Sequence, residues 1–399
     1  MSGRATFGLA PMEGVSELPF RLWLAQVSAP AFASTPFLRA TDTFPAQIPI
    51  DFAAELTREW DVPYQLIPQV MTADPDDFVR TARLLLSHAE FVDLNCGCPS
   101  PNPVSGGAGS SLLKDPALFV GFAERMADAL PAQSFSIKMR TGFDDTAAFD
   151  VLTHGLRSVP LKQLTVHGRT RRDRYDGSSR WDLIQKAAEQ LPCSVVGSGD
   201  ILGVDSMPPI HAMAPSVSRF IVGRGALRNP WIFLELRNQK PVAIRRSLVQ
   251  KALACFALLT DLGMDHQIDR LEPLVQKGLW KTSAGTHSEA WAALYDELCV
   301  AHSGKILPLK DLELDRITLG RVKMVWNYLR SSLPAPYFEP LLLRSKSLGE
   351  LLSGLERLDP ADESFLVSHR SEWDWLFTSS RQKPTPAASE PIQLASITT

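Results

Sequence analysis

The sequence predicts an α/β fold, a closed (β/α)8 TIM barrel followed by a C-terminal all-α helical domain, and three observations carry that expectation. Short runs with strand character recur eight times at helix-length intervals over about 235 residues, close to the ~250 residues such a barrel takes. Each run ends in polar, chemically useful side chains, as expected if the C-terminal ends of all strands share one face. After Pro241 the strand runs stop and helical periodicity takes over.

The runs are Phe7 to Met12, Ala31 to Phe37, Leu66 to Met71, Phe91 to Asn95, Ser134 to Arg140, Gln163 to His167, Ser194 to Gly199 and Arg219 to Gly223. The intervals carry amphipathic patterns with helix-start signals: Asp74-Pro75-Asp76-Asp77 before Phe78 to His88, and Asp115-Pro116 before Ala117 to Leu130. An open doubly wound sheet would show the same alternation and is the alternative. Ser247 to Leu262, Ser288 to Val300, Asp315 to Leu333 and Ser347 to Leu358 read as helices. The expected division is therefore a barrel over 1–240 and a helical domain over 241–360. The Thr-, Ser-, Pro- and Ala-rich stretch 376–399 is expected to be a disordered tail.

Composition excludes little. With 45% hydrophobic and 21% charged residues in 399, the chain can bury a large core, and a net charge of -3 gives no general attraction to a polyanion. No run reaches the ~18 apolar residues of a membrane span, so a cytoplasmic protein without a membrane partner is expected. Oligomeric state is not readable from these residues, and a monomer is taken as the expectation. The five cysteines are too scattered for a disulfide framework. Cys96 and Cys98 lack further ligands at metal spacing, so no metal is expected.

The polar strand ends define a candidate pocket: Gln69, Asn95, Lys138, Arg140, His167, Arg169, Ser198, Asp200 and Arg224. Gly197-Ser198-Gly199-Asp200 and Gly223-Arg224-Gly225 follow the seventh and eighth runs, where barrels often hold a phosphate. Glycines let backbone N–H groups approach an anion, and Arg224 can fork onto it. Lys138 and Arg140 are two apart and point to one side, which is costly unless something anionic arrives. A flavin mononucleotide satisfies this pattern, with its phosphate at the glycine turns, its ring beside Lys138 and the Gln69 amide on the ring edge. His167 would orient the ring or a substrate, or serve as a satisfied structural donor.

Asn95-Cys96-Gly97-Cys98-Pro99 puts a thiol on a tight turn at the same mouth. With an ordinary pKa near 8.5 the Cys98 thiol is mostly protonated at neutral pH and can act as a general acid. Hydride onto one carbon of a double bond and the Cys98 proton onto the other would reduce that bond. The plainer reading, a small buried residue, is assigned to Cys96, which should point away.

Together these residues resemble the tRNA-dihydrouridine synthases. The matching segments are Ala10-Pro11-Met12-Glu13-Gly14-Val15, Val92 to Ser100, Leu112-Leu113-Lys114-Asp115-Pro116, Lys138-Met139-Arg140-Thr141-Gly142, Val166-His167-Gly168-Arg169-Thr170 and Val222-Gly223-Arg224-Gly225-Ala226. The likeness spans Ala10 to about Leu358 and is greatest to the bacterial subfamily called DusC, which implies action on uridine 16 of tRNA. The resemblance implies FMN contacts from Pro11, Met12, Glu13, Gln69, Lys138, His167, Ser198, Gly199, Asp200, Gly223 and Arg224, with NADPH as reductant. It implies Cys98 as the proton donor, and Asn95 and Tyr175 at the target nucleotide. Arg39, Arg321, Lys323 and Arg344 match positions that hold tRNA, and Arg140 and Arg169 at the mouth join them as substrate contacts. In the family, hydride reaches C6 of uracil and the cysteine protonates C5.

Two departures stand out: Ser198 replaces a common asparagine, and the loop from Ser100 to Gly107 has extra prolines and lacks an asparagine ahead of its glycines. Apart from the resemblance, Arg316, Arg321, Lys323 and Arg330 surround Trp326 and Tyr328 without an acid, a composition suited to RNA. A solvated helix with its rings in the core is the plainer account. Arg169, Arg171, Arg172 and Arg174 give a second basic stretch. An FMN barrel reducing a small free metabolite and a non-catalytic RNA-binding barrel are the competing functions.

Overall fold

A computed structural model describes residues 4–49, 52–100, 106–263, 267–338 and 340–371. The expected tail at 376–399 and the middle of the proline-rich loop, 101–105, lie outside the described residues. Eight parallel strands close a barrel: β1 Thr6–Leu9, β2 Phe32–Arg39, β3 Gln65–Met71, β4 Val92–Cys96, β5 Phe135–Arg140, β6 Gln163–His167, β7 Ser194–Ser198 and β8 Arg219–Val222. Pairing of β1 with β8, Thr6 opposite Arg219 through Leu9 opposite Val222, completes the ring and excludes the open sheet. Both helix-start signals work as read. Asp74 accepts from the Asp76 N–H at 2.7 Å, and Asp115 accepts from Ala117 and Leu118 at 3.0 and 3.2 Å.

The period of two along each strand sorts the barrel interior into layers. Ala10, Phe32, Ile67, Phe91, Val196 and Ile221 form an apolar cluster of their own within the cylinder. Gly8 is required below it, because a Cβ there would stand 2.2 Å from the Phe32 ring. Two residues further along the strands the inward side chains turn polar, with Gln69, Asp93, Ser136 and Thr165 all buried. β2 departs from the expected run: it continues to Arg39, with the register slipping by one between Ser34 and Phe37. Pro36 has no N–H to give the ladder, so a bulge forms there, and Thr35 Oγ1 takes the Gln69 N–H at 2.9 Å.

Helices Arg246–Leu262, Ser288–Ser303, Arg316–Leu329 and Leu348–Leu358 make the C-terminal region. The expected helix to Leu333 ends as a 3-10 turn over Arg330–Ser332. Leu18–Ser28, the first barrel helix, packs on Arg246–Leu262, with Trp23 Nε1 donating to the Ala252 carbonyl at 2.7 Å and ring contact to Phe256. The helices therefore share one apolar core with the barrel's outer layer. Among the described residues no helix is long and apolar enough to cross a membrane, and no three His, Cys, Asp or Glu side chains gather into a metal-holding group.

One buried ion pair fixes the loop after β1. Arg21 clamps Glu55 at 2.6 and 2.8 Å, Tyr64 donates to Glu55 at 2.9 Å, and Arg21 Nη1 donates to the Ser16 carbonyl at 2.8 Å. Ser16 in turn accepts from the Met12 N–H at 2.7 Å. Both charges are almost fully buried, so the geometry has to repay their desolvation. Arg21→Met should leave the Glu55 carboxylate buried with Tyr64 alone and cost about 3–5 kcal/mol, read as a lowered urea midpoint; an unchanged midpoint would show the pair to be dispensable.

Candidate active site

A pocket of about 660 Å³ opens at the C-terminal ends of the strands. Pro11, Met12 and Glu13 line it from the β1 loop, and Asn95 and Cys98 from the end of β4. Lys138, Arg140 and His167 rise from β5 and β6. Ser198, Gly199, Asp200, Gly223 and Arg224 complete the far wall, and Tyr175 stands at the rim. The structure thus gathers most of the sequence-predicted site around one opening.

The Cys98 turn is pinned on every side. Asn95 Oδ1 accepts from the Gly97 N–H at 3.0 Å and the Cys98 N–H at 2.9 Å. The Cys98 carbonyl takes Ser110 Oγ at 2.8 Å and the Ser110 N–H at 3.2 Å, while Arg140 Nε holds the Gly97 carbonyl at 2.8 Å. Cys96, one residue from the turn, is fully buried in the core and points away. Gln69 corrects an expectation: it is 0% exposed and absent from the pocket lining, its amide spent on Asn95 and Asp93 at 2.7 Å each. It lies one layer beneath the mouth, because β3 pairs Gln69 with Asp93 rather than with Asn95.

Arg140 and Arg169 also differ from the expectation that they meet RNA. Both are buried. Besides Gly97, Arg140 donates to the carbonyls of Thr170 and Arg174 at 2.9 and 3.0 Å. Arg169 binds Ser179 Oγ and Asp200 Oδ1 at 2.7 Å each, along with the carbonyls of Asp176 and Gly177. These guanidinium groups hold the β6 loop in place, because loop carbonyls buried at the mouth need donors. The glycine turns are close-packed for a related reason. A Cβ on Gly199 would lie 2.0 Å from Ser179 Oγ, and one on Gly225 2.1 Å from the Ile201 carbonyl.

The pocket's charge is mostly positive and poorly solvated. Burial first, then neighbouring Arg140, pull Lys138 down to about 8, and burial lowers Arg140 to about 10. Burial and the surrounding cations Arg140, Lys138, Arg169 and Arg224 push His167 well below its ordinary value, so its imidazole is neutral at pH 7. The Cys98 thiol moves the other way: burial raises it, Glu13 adds to this, and a Ser100 backbone hydrogen bond with Arg140 and Lys138 opposes it. Cys98 is therefore a protonated thiol at neutral pH.

Of the remaining expected tRNA contacts, Arg39 and Arg344 are exposed and Lys323 is half-buried, all outside the pocket lining. Arg321 is ion-paired with Glu17. The basic helix follows the plainer account in part: Trp326 is fully buried in the core, but Arg330, instead of being solvated, is buried over the Phe338 ring at 4.4 Å. Tyr328, which the sequence left open between an RNA-facing ring and a core ring, is the one of that pair that lines the pocket. Helix Arg316–Leu329 packs on the short helix Arg224–Arg228 and carries Tyr328 into the pocket. Its position two residues after the core Trp326 was the available signal, since that offset turns a helical side chain to another face. Tyr175 is 43% exposed and lies over Arg224 at 4.2 Å.

The raised thiol yields a direct prediction. Alkylation of Cys98 by iodoacetamide, followed by peptide mass spectrometry, should be slow at pH 7 and accelerate with a midpoint above the ordinary thiol value of about 8.5. A midpoint near neutrality would show a thiolate and contradict the acid assignment.

Comparison with known proteins agrees with this geometry. Residues 8–293, well over half of the chain, match the family model described as "Dihydrouridine synthase (Dus)". The tRNA-dihydrouridine synthase B of Pasteurella multocida is 26% identical over 270 residues, 66% of this chain and 78% of that protein. The tRNA-dihydrouridine(16) synthase of Haemophilus ducreyi is 29% identical over 228 residues, 56% and 70% of the two chains. A rice tRNA-dihydrouridine(47) synthase-like protein is 32% identical over 177 residues, 43% of this chain, and the match spans only 26% of its length. Among solved structures, morphinone reductase aligns with a TM-score of 0.43 at 9% identity, covering 59% of this chain and 86% of its own, a likeness too distant to bear on chemistry. A closed eight-stranded barrel with its thiol turn and cationic mouth inside the matched span leads to one conclusion: the chain belongs to the dihydrouridine synthase family.

Proposed function

We propose that this protein reduces a uridine of tRNA to 5,6-dihydrouridine, with FMN as its resident cofactor and NADPH as reductant, and that the uridine is U16 of the D-loop. The observation that carries this reading is a protonated thiol on an immobilised turn, facing a pocket whose floor is cationic. Family membership supports the tRNA substrate, and the relatives named for tRNA include one named for position 16.

The residues fit a flavin phosphate on their own chemistry. Burial holds His167 neutral and the cations Arg140, Lys138, Arg169 and Arg224 add to this, a gathering of positive charge that an anionic ligand relieves. Gly223 lines the pocket where a Cβ would meet nothing nearer than 3.7 Å, so the glycine leaves room that protein does not fill. Ser198, Gly199, Asp200, Gly223 and Arg224 would hold the phosphate end, Pro11, Met12 and Glu13 the near edge, and Lys138 and His167 the ring. Asp200 keeps its side chain out of the way, since Oδ1 takes Arg169 and Oδ2 takes the Ser179 N–H at 2.7 Å.

When bound, the reduced flavin would supply hydride to C6 of the uracil. Cys98 then gives its proton to C5, and the neutral charge of the thiol is what lets it act as an acid. Asn95 holds the donor still, while Tyr175 at the rim offers a face for a base turned out of its stack. Arg39 and Arg344, both exposed, the half-buried Lys323 and Arg321 would bind RNA phosphates from the barrel and the helical region. Arg140 and Arg169 order the loop instead of reaching the RNA. An FMN reductase of a small free metabolite is the second reading, and the family match favours tRNA over it.

Cys98→Ala should keep flavin bound and reducible by NADPH yet slow reoxidation by unmodified tRNA by about 10²–10⁴-fold; unchanged turnover would remove Cys98 from the mechanism. Lys323→Ala combined with Arg344→Ala should raise the tRNA concentration needed for half-maximal rate and flatten its salt dependence. Activity on free uridine equal to that on tRNA would favour the small-metabolite reading. Mapping dihydrouridine in the product tests position 16.

A further inference from the structure

Asp93 is a buried carboxylate that the mechanism above does not use. It lies on β4 two residues before Asn95, on the same inward face, in the polar layer beneath the pocket. Its cross-strand partners in register are Gln69 on β3 and Ser136 on β5. Ser136 Oγ donates to Oδ1, and Gln69 Nε2 donates to Oδ2 at 2.7 Å. The other end of the Gln69 amide, Oε1, accepts from Asn95 Nδ2 at 2.7 Å. Asn95 Oδ1 then accepts the N–H groups of Gly97 and Cys98.

We propose that Asp93 is a positioning residue for Cys98, acting through Gln69 and Asn95 by fixing the direction in which this chain of amide hydrogen bonds runs. An ionised carboxylate only accepts, so Gln69 must turn its NH2 to Asp93 and its oxygen to Asn95. Asn95 must then turn its NH2 to Gln69 and its oxygen to the turn. Asn95 reversed would set an NH2 against the N–H groups of Gly97 and Cys98, and Gln69 reversed would set its NH2 against that of Asn95 and its oxygen against the Asp93 carboxylate, leaving buried groups without partners at about 1–3 kcal/mol each. The backbone closes the other escape, because the Gln69 N–H is bound by Thr35 Oγ1 at the β2 bulge. Burial raises the Asp93 carboxyl, and Ser136, Gln69 and the nearby Lys138 oppose that and favour the accepting form.

The proposal rests on Cys98 as the acid, and its test separates the two. Asp93→Asn can offer Gln69 either an oxygen or an NH2, so direction is no longer imposed. The double variant Asp93→Asn with Gln69→Glu keeps the same charge and shape but restores an acceptor-only group facing Asn95. In holoenzyme, single-turnover oxidation of the reduced flavin by tRNA should fall about 10- to 100-fold in Asp93→Asn and recover to near wild type in the double variant. The pH profile of Cys98 alkylation should shift in the single variant and return in the double, whatever reaction the thiol serves. Flavin reduction by NADPH should stay constant across all three proteins. Wild-type alkylation and tRNA oxidation in Asp93→Asn, or a double variant no better than the single, would overturn the relay. If Asp93→Asn does not fold, a folded double variant with the wild-type alkylation profile supports the relay, and a misfolded one overturns it. Cys98→Ala active on tRNA with the alkylation results as expected would overturn the acid assignment and leave the relay standing.

Discussion

The structure depends on one side-chain oxygen. Asn95 Oδ1 gathers the N–H groups of Gly97 and Cys98, and without it the turn that presents the thiol would have two buried donors to satisfy elsewhere. Everything around the turn reinforces that geometry: Ser110 holds the Cys98 carbonyl and Arg140 the Gly97 carbonyl. A thiol so held keeps its position at little entropic cost when a substrate arrives. Rigidity at the thiol is therefore a product of the barrel's interior.

Charge supplies the second half of the account. A barrel mouth lined by Lys138, Arg140 and Arg224 would be a liability in a protein built only for stability, and the lowered values of these groups record that cost. An anionic ligand converts the liability into binding. Burial, reinforced by the same field, keeps His167 neutral, and burial keeps Cys98 protonated. The site thus assigns protonation states at pH 7 before any ligand binds.

Much of this was legible in the sequence, and the exceptions share a cause. All eight strands and the four long C-terminal helices followed from periodicity, and the starts of two barrel helices from capping, since Asp74 and Asp115 act within a few residues of themselves. The pocket lining followed from the rule that strand ends share a face. Gln69 lies beneath the pocket, and Arg140 and Arg169 are tied to neighbouring loops, because their partners come from other strands and loops: Asp93 across the β3–β4 register, Gly97 across β4–β5, and Asp200 from the β7 turn. Trp326 and Tyr328 lie two residues apart on one helix, yet one is core and the other lines the pocket, a division that depends on how the helix docks over Arg224–Arg228.

The most direct measurement is the pH dependence of single-turnover flavin oxidation by tRNA, compared between the native enzyme and Cys98→Ser. The account predicts that the native rate declines at alkaline pH with a limb above the ordinary thiol value of about 8.5, and that this limb disappears in Cys98→Ser. A native rate that rises as the thiol ionises, or the same limb in both proteins, would contradict the claim that Cys98 gives its proton to the nucleobase.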